Sequence, residues 1–151
     1  MNYHMQIDEE SIAKQTQKNE SKIFLPFVFL FIALVGLDQI TKYFAKKIFE
    51  NHKFAFSLPM PMLLIYFIYF VVLGAIVIYC KNNYRNFSSL QITAWILIFS
   101  GALSNISERF VLGYVRDWIY ILTGIFNLAD FCILLGVIIL FFKFEILSSK
   151  S

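Results

Sequence analysis

The sequence predicts an all-α membrane protein with four transmembrane helices and a small extracytoplasmic β element between the first two helices. The first observation is composition, because 59% of the 151 residues are hydrophobic and only 15% are charged. Soluble domains average about a quarter charged residues. The second is that the apolar residues fall into four runs close to the ~20 residues needed to cross a bilayer. Lipid is the solvent that such a chain requires.

The four spans are read from apolar runs between polar segments. The first run, 23–37, is short for a span unless the helix continues through Asp38 and Lys42 into the headgroup layer. The other runs cover 60–80, 90–106 and 125–142. We therefore expect a polar cytoplasmic tail at 1–22, a four-helix transmembrane domain at 23–145 and a short polar tail at 146–151.

The β element is predicted by residues 53–58, where apolar side chains alternate with other residues. A period of two is typical of a strand. The strand is expected to end at the Pro59-Met60-Pro61 segment, which breaks regular structure.

Charge and cysteine content exclude several function classes. The net charge is only +3 and the basic residues are scattered, so no nucleic-acid surface is expected. Neither histidine lies near a cluster with metal-ligand spacing, and Cys80 and Cys132 are expected to be free thiols in apolar runs. We expect neither a metal nor a cofactor. The basic 81–89 loop, which has no acidic residue, favours cytoplasmic N- and C-termini.

Polar residues inside the spans are the main functional signal. An Asp at mid-bilayer costs at least ~2.5–3.5 kcal/mol, so such residues need partners and usually have a function. Asn127 and Asp130 share a helix face at i, i+3 spacing. The alternative interpretation is a capping arrangement, with Asn127 as the N-cap and Asp130 near the positive end of the helix dipole.

The third span carries a stripe of small and polar residues at Gly101, Ser104, Asn105 and Glu108, with Arg109 beside it. Close helix packing in lipid explains the small residues. It explains Asn105, Glu108 and Arg109 less well, so these three are candidate site residues.

Two further acids have both a functional and a plain interpretation. Asp117 lies in a short apolar connection between the third and fourth spans, where it is either functional or paired with neighbouring Arg116. Asp38 and Lys42 have the favourable acid-first i, i+4 order. If that pair is exposed at the surface, it contributes little to stability.

Five segments, taken together and in order, resemble the bacterial lipoprotein signal peptidase family. The matching segments are 38–42 for D-x-x-x-K, 51–57 for N-x-G-x-A-F, 101–109 for G-A-L-G-N-x-x-D-R, 113–119 for G-x-V-x-D-F-I and 126–130 for F-N-x-A-D. The resemblance covers roughly residues 25–142. This sequence departs from the pattern at Glu108, where the family usually has Asp, and at Ser104 and Lys53, where it usually has Gly. The link between Asp117 and Asp130 is also shorter than the family leads us to expect.

The resemblance implies an intramembrane aspartic endopeptidase with Asp117 and Asp130 as its catalytic pair. It implies cleavage of diacylglyceryl-modified prolipoproteins just before the lipidated cysteine, with no cofactor. The expected partners are that substrate and membrane lipid, and the protein is expected to be a monomer. The expected location is the bacterial plasma membrane, with the site near the extracytoplasmic face. The residues expected to bind substrate or support the pair are Asp38, Lys42, Asn51, Asn105, Glu108, Arg109 and Asn127.

Two other functions remain open on the sequence. One is a non-catalytic paralogue that binds lipidated peptides, although such a protein has no reason to keep both Asp117 and Asp130. The other is a small transport subunit in which Asp38 and Asp130 line a polar path. Against transport, the polar residues collect near one membrane face and are not spread along each helix.

Overall fold

The computed structural model describes residues 25–52, 60–122 and 124–148 of the chain. Its helices are α1 (Leu25–Phe44), α2 (Met62–Asn83), α3 (Ser89–Leu112) and α4 (Leu128–Ser148). Its strands are β1 (Phe49–Asn51), β2 (Val115–Asp117), β3 (Ile119–Ile121) and β4 (Gly124–Phe126). A 3₁₀ turn at Tyr84–Asn86 follows α2. The predicted polar tail at 1–22 and the predicted strand at 53–58 lie outside the described residues.

The helices have the length and surface of membrane spans. Within the described residues, Leu25–Phe44, Leu63–Asn86 and Ser89–Leu112 are each long and apolar enough to cross a membrane. Helix α4 has 21 residues, and large apolar side chains such as Leu134 and Phe141 are exposed along it. Apolar surfaces of this extent are covered by lipid in a membrane protein. The predicted class of a four-helix membrane protein with a small β element is confirmed.

The helix ends differ from the predicted ones for identifiable reasons. Helix α1 continues past Asp38 and Lys42, as expected. Helix α3 begins with a capping box between Ser88 and Gln91, and it continues beyond the predicted end at 106. It stops at Gly113, whose φ of +81° is the left-handed conformation that commonly ends a helix. The predicted start of the fourth span at 125 was wrong, because residues 124–126 form a strand.

Short strands connect the helices at the end of the bundle where α1 and α3 finish and α4 begins. Strand β1 pairs with β2 in antiparallel register, with Phe49 opposite Asp117 and Asn51 opposite Val115. Strands β3 and β4 form an antiparallel hairpin. The sequence did not reveal β2, β3 or β4, because three residues are too few to establish a period of two. The β1–β2 pair brings Asn51 beside Asp117.

Helices α3 and α4 approach closely at two glycines. A Cβ on Gly136 would lie 2.6 Å from the Ala94 carbonyl oxygen and 2.7 Å from Ile98 Cγ1. At Gly101, a Cβ would collide with the Ala129 carbonyl. The packing interpretation of the small-residue stripe is therefore confirmed for Gly101. This close contact sets the start of α4 against α3, where the polar residues lie.

Replacing Gly136 with Ala tests this close approach. We expect G136A to lower the free energy of unfolding by about 1–3 kcal/mol, because the new methyl group meets backbone atoms that cannot rotate away. The matched control is G74A on α2, where no atom lies within 4 Å of the added Cβ. There, helix propensity alone predicts no loss, or a gain of up to ~1 kcal/mol. Equal stabilities of the two variants in detergent would contradict the described helix contact.

Candidate active site

Polar side chains from α1, β1, α3, β2 and α4 form one cluster, called here the polar cluster. Lys42 lies at its centre and is fully buried, with 0% of its side chain exposed. Its ammonium Nζ contacts Asp38 Oδ2 at 2.8 Å, Glu108 Oε2 at 3.0 Å and Asn105 Oδ1 at 3.0 Å. An ammonium has three hydrogen-bond donors, and each one has an acceptor here. The interpretation of Asp38 and Lys42 as an exposed surface pair was therefore wrong, because α3 and α4 cover this side of α1.

Asp38 connects α1 to the first turn of α4. Its Oδ1 accepts a hydrogen bond from the backbone N–H of Ala129 at 2.9 Å, and its Oδ2 accepts from Ser104 Oγ at 2.5 Å. The first N–H groups of a helix have no partner within that helix. Asp38 therefore supplies an acceptor from another helix, and places a negative charge at the positive end of the α4 dipole.

Glu108 joins α3 to β2. Its Oε1 accepts from Arg116 Nε at 2.6 Å, and its Oε2 accepts from the Arg116 backbone N–H at 3.0 Å. Arg116 is therefore the partner of Glu108, and the interpretation of Asp117 as a loop acid paired with Arg116 was wrong. Arg109 is buried at the same end of α3, and its carbonyl oxygen accepts from Tyr66 Oη at 2.8 Å, which ties α2 to this end.

Asn127 and Asp130 cap α4. Asn127 Oδ1 accepts from the Asp130 backbone N–H at 3.0 Å, and Asp130 Oδ2 accepts from the Asn127 backbone N–H at 3.1 Å. This reciprocal arrangement has the geometry of a capping box, and the capping interpretation is confirmed. The other carboxylate oxygen, Oδ1, accepts from Asn105 Nδ2 at 2.9 Å. Asp130 thus belongs to the cap and to the polar cluster at once.

Asp117 projects from β2 into the same cluster and is only 2% exposed. Its Oδ1 accepts from Asn127 Nδ2 at 2.6 Å, and its Oδ2 accepts from Asn51 Nδ2 at 2.8 Å. Burial raises the pKa of Asp117 to about 6, and the negative charge of Asp130 acts in the same direction. The two amide hydrogen bonds and the positive charge of Lys42 oppose this rise.

A continuous series of side-chain and cap contacts joins residues from α1, β1, α3, β2 and α4. The predicted site residues in this series are Asp38, Lys42, Asn51, Asn105, Glu108, Asp117, Asn127 and Asp130. Sequence reasoning did not assign a role to Gln39, and it offered Arg116 only as a partner of Asp117. The available signal for Arg116 was a cation in a short apolar connection, which needs an acidic partner, but the sequence did not show that this partner is Glu108.

Replacing Lys42 with Met tests whether the ammonium holds the cluster together. Because Asp38 and Glu108 would be left buried beside each other without their shared cation, we expect a loss of about 3–5 kcal/mol in the free energy of unfolding. The matched control is K46M, which removes an exposed cation in the loop after α1. Thermal unfolding in detergent compares the two, and a K42M protein as stable as K46M would refute the central role of Lys42.

Known proteins resemble this chain both in sequence and in structure. The family model described as signal peptidase II matches residues 30–146. The lipoprotein signal peptidase of Fusobacterium nucleatum is 30% identical, over 76% of this chain and 82% of that protein. The lipoprotein signal peptidase of Streptococcus thermophilus is 32% identical, over 79% of this chain and 90% of that protein.

A solved structure described as a bacterial membrane enzyme, obtained by the in meso method at 2.3 Å resolution, is similar with a TM-score of 0.71. It is 26% identical in sequence, and the similarity covers 83% of this chain and 91% of that one. The matched range includes all of α2 and α3, most of α1 and α4, and every residue of the polar cluster. This chain belongs to the signal peptidase II family.

Proposed function

We propose that this protein removes signal peptides from diacylglyceryl-modified prolipoproteins, with Asp117 and Asp130 as the catalytic pair. Membership of the signal peptidase II family and relatives named lipoprotein signal peptidase support the reaction and the substrate class. The assignment of residues depends on one observation. Asn127 donates its side-chain amide to Asp117 and its backbone amide to Asp130, so a single residue holds both carboxyl groups.

The hydrogen-bond donors around Asp117 and Asp130 are compatible with one proton shared between the two carboxyl groups. Asp117 accepts from the amides of Asn51 and Asn127, and Asp130 accepts from Asn105 and from the Asn127 backbone. All of these donors are neutral. The nearby cation of Lys42 instead contacts Asp38, Glu108 and the oxygen of Asn105. Among the described contacts neither carboxyl has a direct cation partner, and two neighbouring carboxyls of this kind do not both ionise readily, so one of them keeps a proton.

Such a pair performs general acid–base catalysis of peptide hydrolysis. The ionised carboxylate takes a proton from a water molecule as the water attacks the scissile carbonyl carbon. The protonated carboxyl donates a hydrogen bond to the carbonyl oxygen as negative charge develops there. A proton then passes to the leaving amine, and the peptide bond breaks. The pair titrates as a unit, so the shared proton belongs to both residues.

We place the site near the extracytoplasmic face, with both termini in the cytoplasm. Helices α1 and α3 end at the polar cluster and α4 begins there, so the described ends of the chain, Leu25 and Ser148, are at the opposite side of the bundle. On that opposite side, the last turn of α2 carries Lys81 and the α2–α3 connection carries Arg85, with no acid in either, which agrees with the positive-inside rule. Against a transport path, the buried α3 residues Ala94, Leu97 and Ile98 on the way to that side are apolar, and the hydroxyl of buried Ser100 donates to the Leu97 carbonyl of its own helix.

We also propose that the signal peptide binds in an extended form beside β1. Strand β1 pairs with β2 on one edge, and in the described residues its sheet has only these two strands. An extended substrate added to the other edge would form backbone hydrogen bonds of the kind used in strand addition. Asn51, the last residue of β1, contacts Asp117 and would set the scissile bond in register with the catalytic pair.

Substitution of each acid by its isosteric amide tests the catalytic assignment. We expect D117N and D130N each to lower the cleavage rate of a lipidated precursor peptide at least ~1,000-fold, because neither single carboxyl can supply both the base and the acid. Each amide keeps only one of the two acceptor oxygens, so cleavage is measured well below the apparent melting temperature of each variant. The matched control is K46Q, which removes an exposed charge from the loop after α1 at the same end of the molecule.

Cleavage by both D117N and D130N at wild-type rates would refute this pair. A wild-type protein that binds the lipidated precursor and never cleaves it would instead indicate a non-catalytic paralogue.

The pH dependence of kcat/KM gives a second test. The active pair needs one proton, and burial raises the pKa of Asp117 to about 6. The singly protonated form is therefore lost as the pH rises through this value, and kcat/KM should fall by about tenfold per pH unit well above it. Measurement between pH 5 and 9 on the purified protein checks this expectation. A rate that keeps rising with pH across this range would contradict a shared-proton mechanism.

A further inference from the structure

Arg116 closes a ring of side chains next to the catalytic pair. The ring passes through Asp38, Ser104, Gln39, Arg116, Glu108 and Lys42. In it, Arg116 Nη2 donates to Gln39 Oε1 at 3.1 Å, and Gln39 Nε2 donates to Ser104 Oγ at 2.7 Å. Every contact from one member to the next is within 3.1 Å. The ring therefore fixes Arg116 from two helices, with Gln39 on α1 and Glu108 on α3.

Glu108 also holds strand β2 at the edge that does not pair with β1. The Arg116 backbone N–H donates to Glu108 Oε2 at 3.0 Å, while β1 pairs along the opposite edge. The carboxylate of Glu108 thus takes the place of a neighbouring strand. A strand of three residues with only one partner has little to fix its rotation about its own axis. Asp117 is the next residue in β2, so its direction depends on both edges.

The charge and the planar shape of the guanidinium together make this attachment specific for arginine. Glu108 is 3% exposed, and its carboxylate contacts two cations, Lys42 and Arg116. Across the ring, the two carboxylates of Asp38 and Glu108 balance the two cations. The planar guanidinium donates from Nε to Glu108 and from Nη2 to Gln39 at the same time, and a lysine ammonium lacks this fixed fork. Arg116 keeps 21% of its side chain exposed, so it is held by these contacts and not by enclosure.

We propose that Arg116 is a positioning residue for the peptidase reaction, which aims Asp117 at the substrate by clamping β2 to Glu108 and Gln39. This inference rests on the proposed catalytic role of Asp117. Arg116 has its described hydrogen bonds to protein groups in the ring, so its effect passes through Asp117. A displacement of ~1 Å at a reacting group can lower the rate about 100-fold. Loss of Arg116 therefore lowers kcat and leaves KM nearly unchanged.

The test is steady-state kinetics of the full-length protein in detergent on a lipidated precursor peptide. R116M removes the side-chain donors to Glu108 and Gln39, keeps an unbranched side chain and leaves the backbone N–H bond to Glu108 in place. We expect its kcat to fall about 10- to 100-fold, with KM within threefold of the wild-type value. R116K should recover part of kcat, because it retains the charge opposite Glu108 without the fork. The matched control is K47Q, which removes an exposed cation from the loop before β1 and should keep wild-type kinetics.

A double-mutant cycle tests whether Arg116 acts through the ring. If it does, adding R116M to the E108Q variant should lower kcat less than threefold relative to E108Q alone. Should E108Q not fold, Q39L replaces it in the cycle, because it breaks the ring away from the ion pairs. Equal costs of R116M in both backgrounds would overturn the proposal. A rise in KM with unchanged kcat would also overturn it, since that result would place Arg116 on the substrate.

D117N in the same assay separates the two proposals. If D117N is inactive and R116M retains wild-type kcat, the positioning role fails while the catalytic pair stands. If D117N is active, the catalytic assignment itself fails and the positioning role fails with it. Recovery of wild-type kcat by R116M well below its apparent melting temperature would show a role in stability alone, and would overturn the proposal.

Discussion

The contacts of the buried Lys42 ammonium with Asp38 and Glu108 hold the other polar residues of the site in place. Without the ammonium, Asp38 and Glu108 would be two carboxylates in a low-dielectric interior with no cation between them, at a cost of several kcal/mol for each ion. With it, each carboxylate has a cation within 3.0 Å and uses its remaining acceptor positions for other contacts. Asp38 caps α4, and Glu108 holds β2. A single charge thus links α1, α3, α4 and the strand that carries Asp117.

The site divides its polar groups into two sets with different electrostatics. Full charges of both signs balance one another in the ring from Asp38 to Arg116, which is structural. The proposed catalytic acids receive hydrogen bonds from neutral amides of Asn51, Asn105 and Asn127. Asn105 connects the two sets, since its oxygen accepts from Lys42 and its nitrogen donates to Asp130. The separation leaves the proposed catalytic pair with neutral donors, as the proposed shared proton requires, while the charges of the ring are balanced within it.

Two departures from the family pattern have a clear physical role. Glu108, with one methylene more than the usual Asp, contacts both Lys42 and the Arg116 side chain and backbone. Ser104 replaces a Gly, and its hydroxyl donates to Asp38 and accepts from Gln39. Both changes therefore add contacts to the same ring. The change at Lys53 lies outside the described residues.

The membrane class, the helices and most polar residues of the site could be predicted from the amino-acid sequence, because apolar run length and the cost of buried charge act locally along the chain. Which of these residues contact one another depends on how the helices pack. Asp38 and Lys42 have the same spacing whether exposed or buried, and their burial follows from α3 and α4 packing over them. The three-residue strands and the Arg116–Glu108 pair are likewise absent from any local pattern. Their partners come from distant segments, and only packing of the bundle brings those segments together.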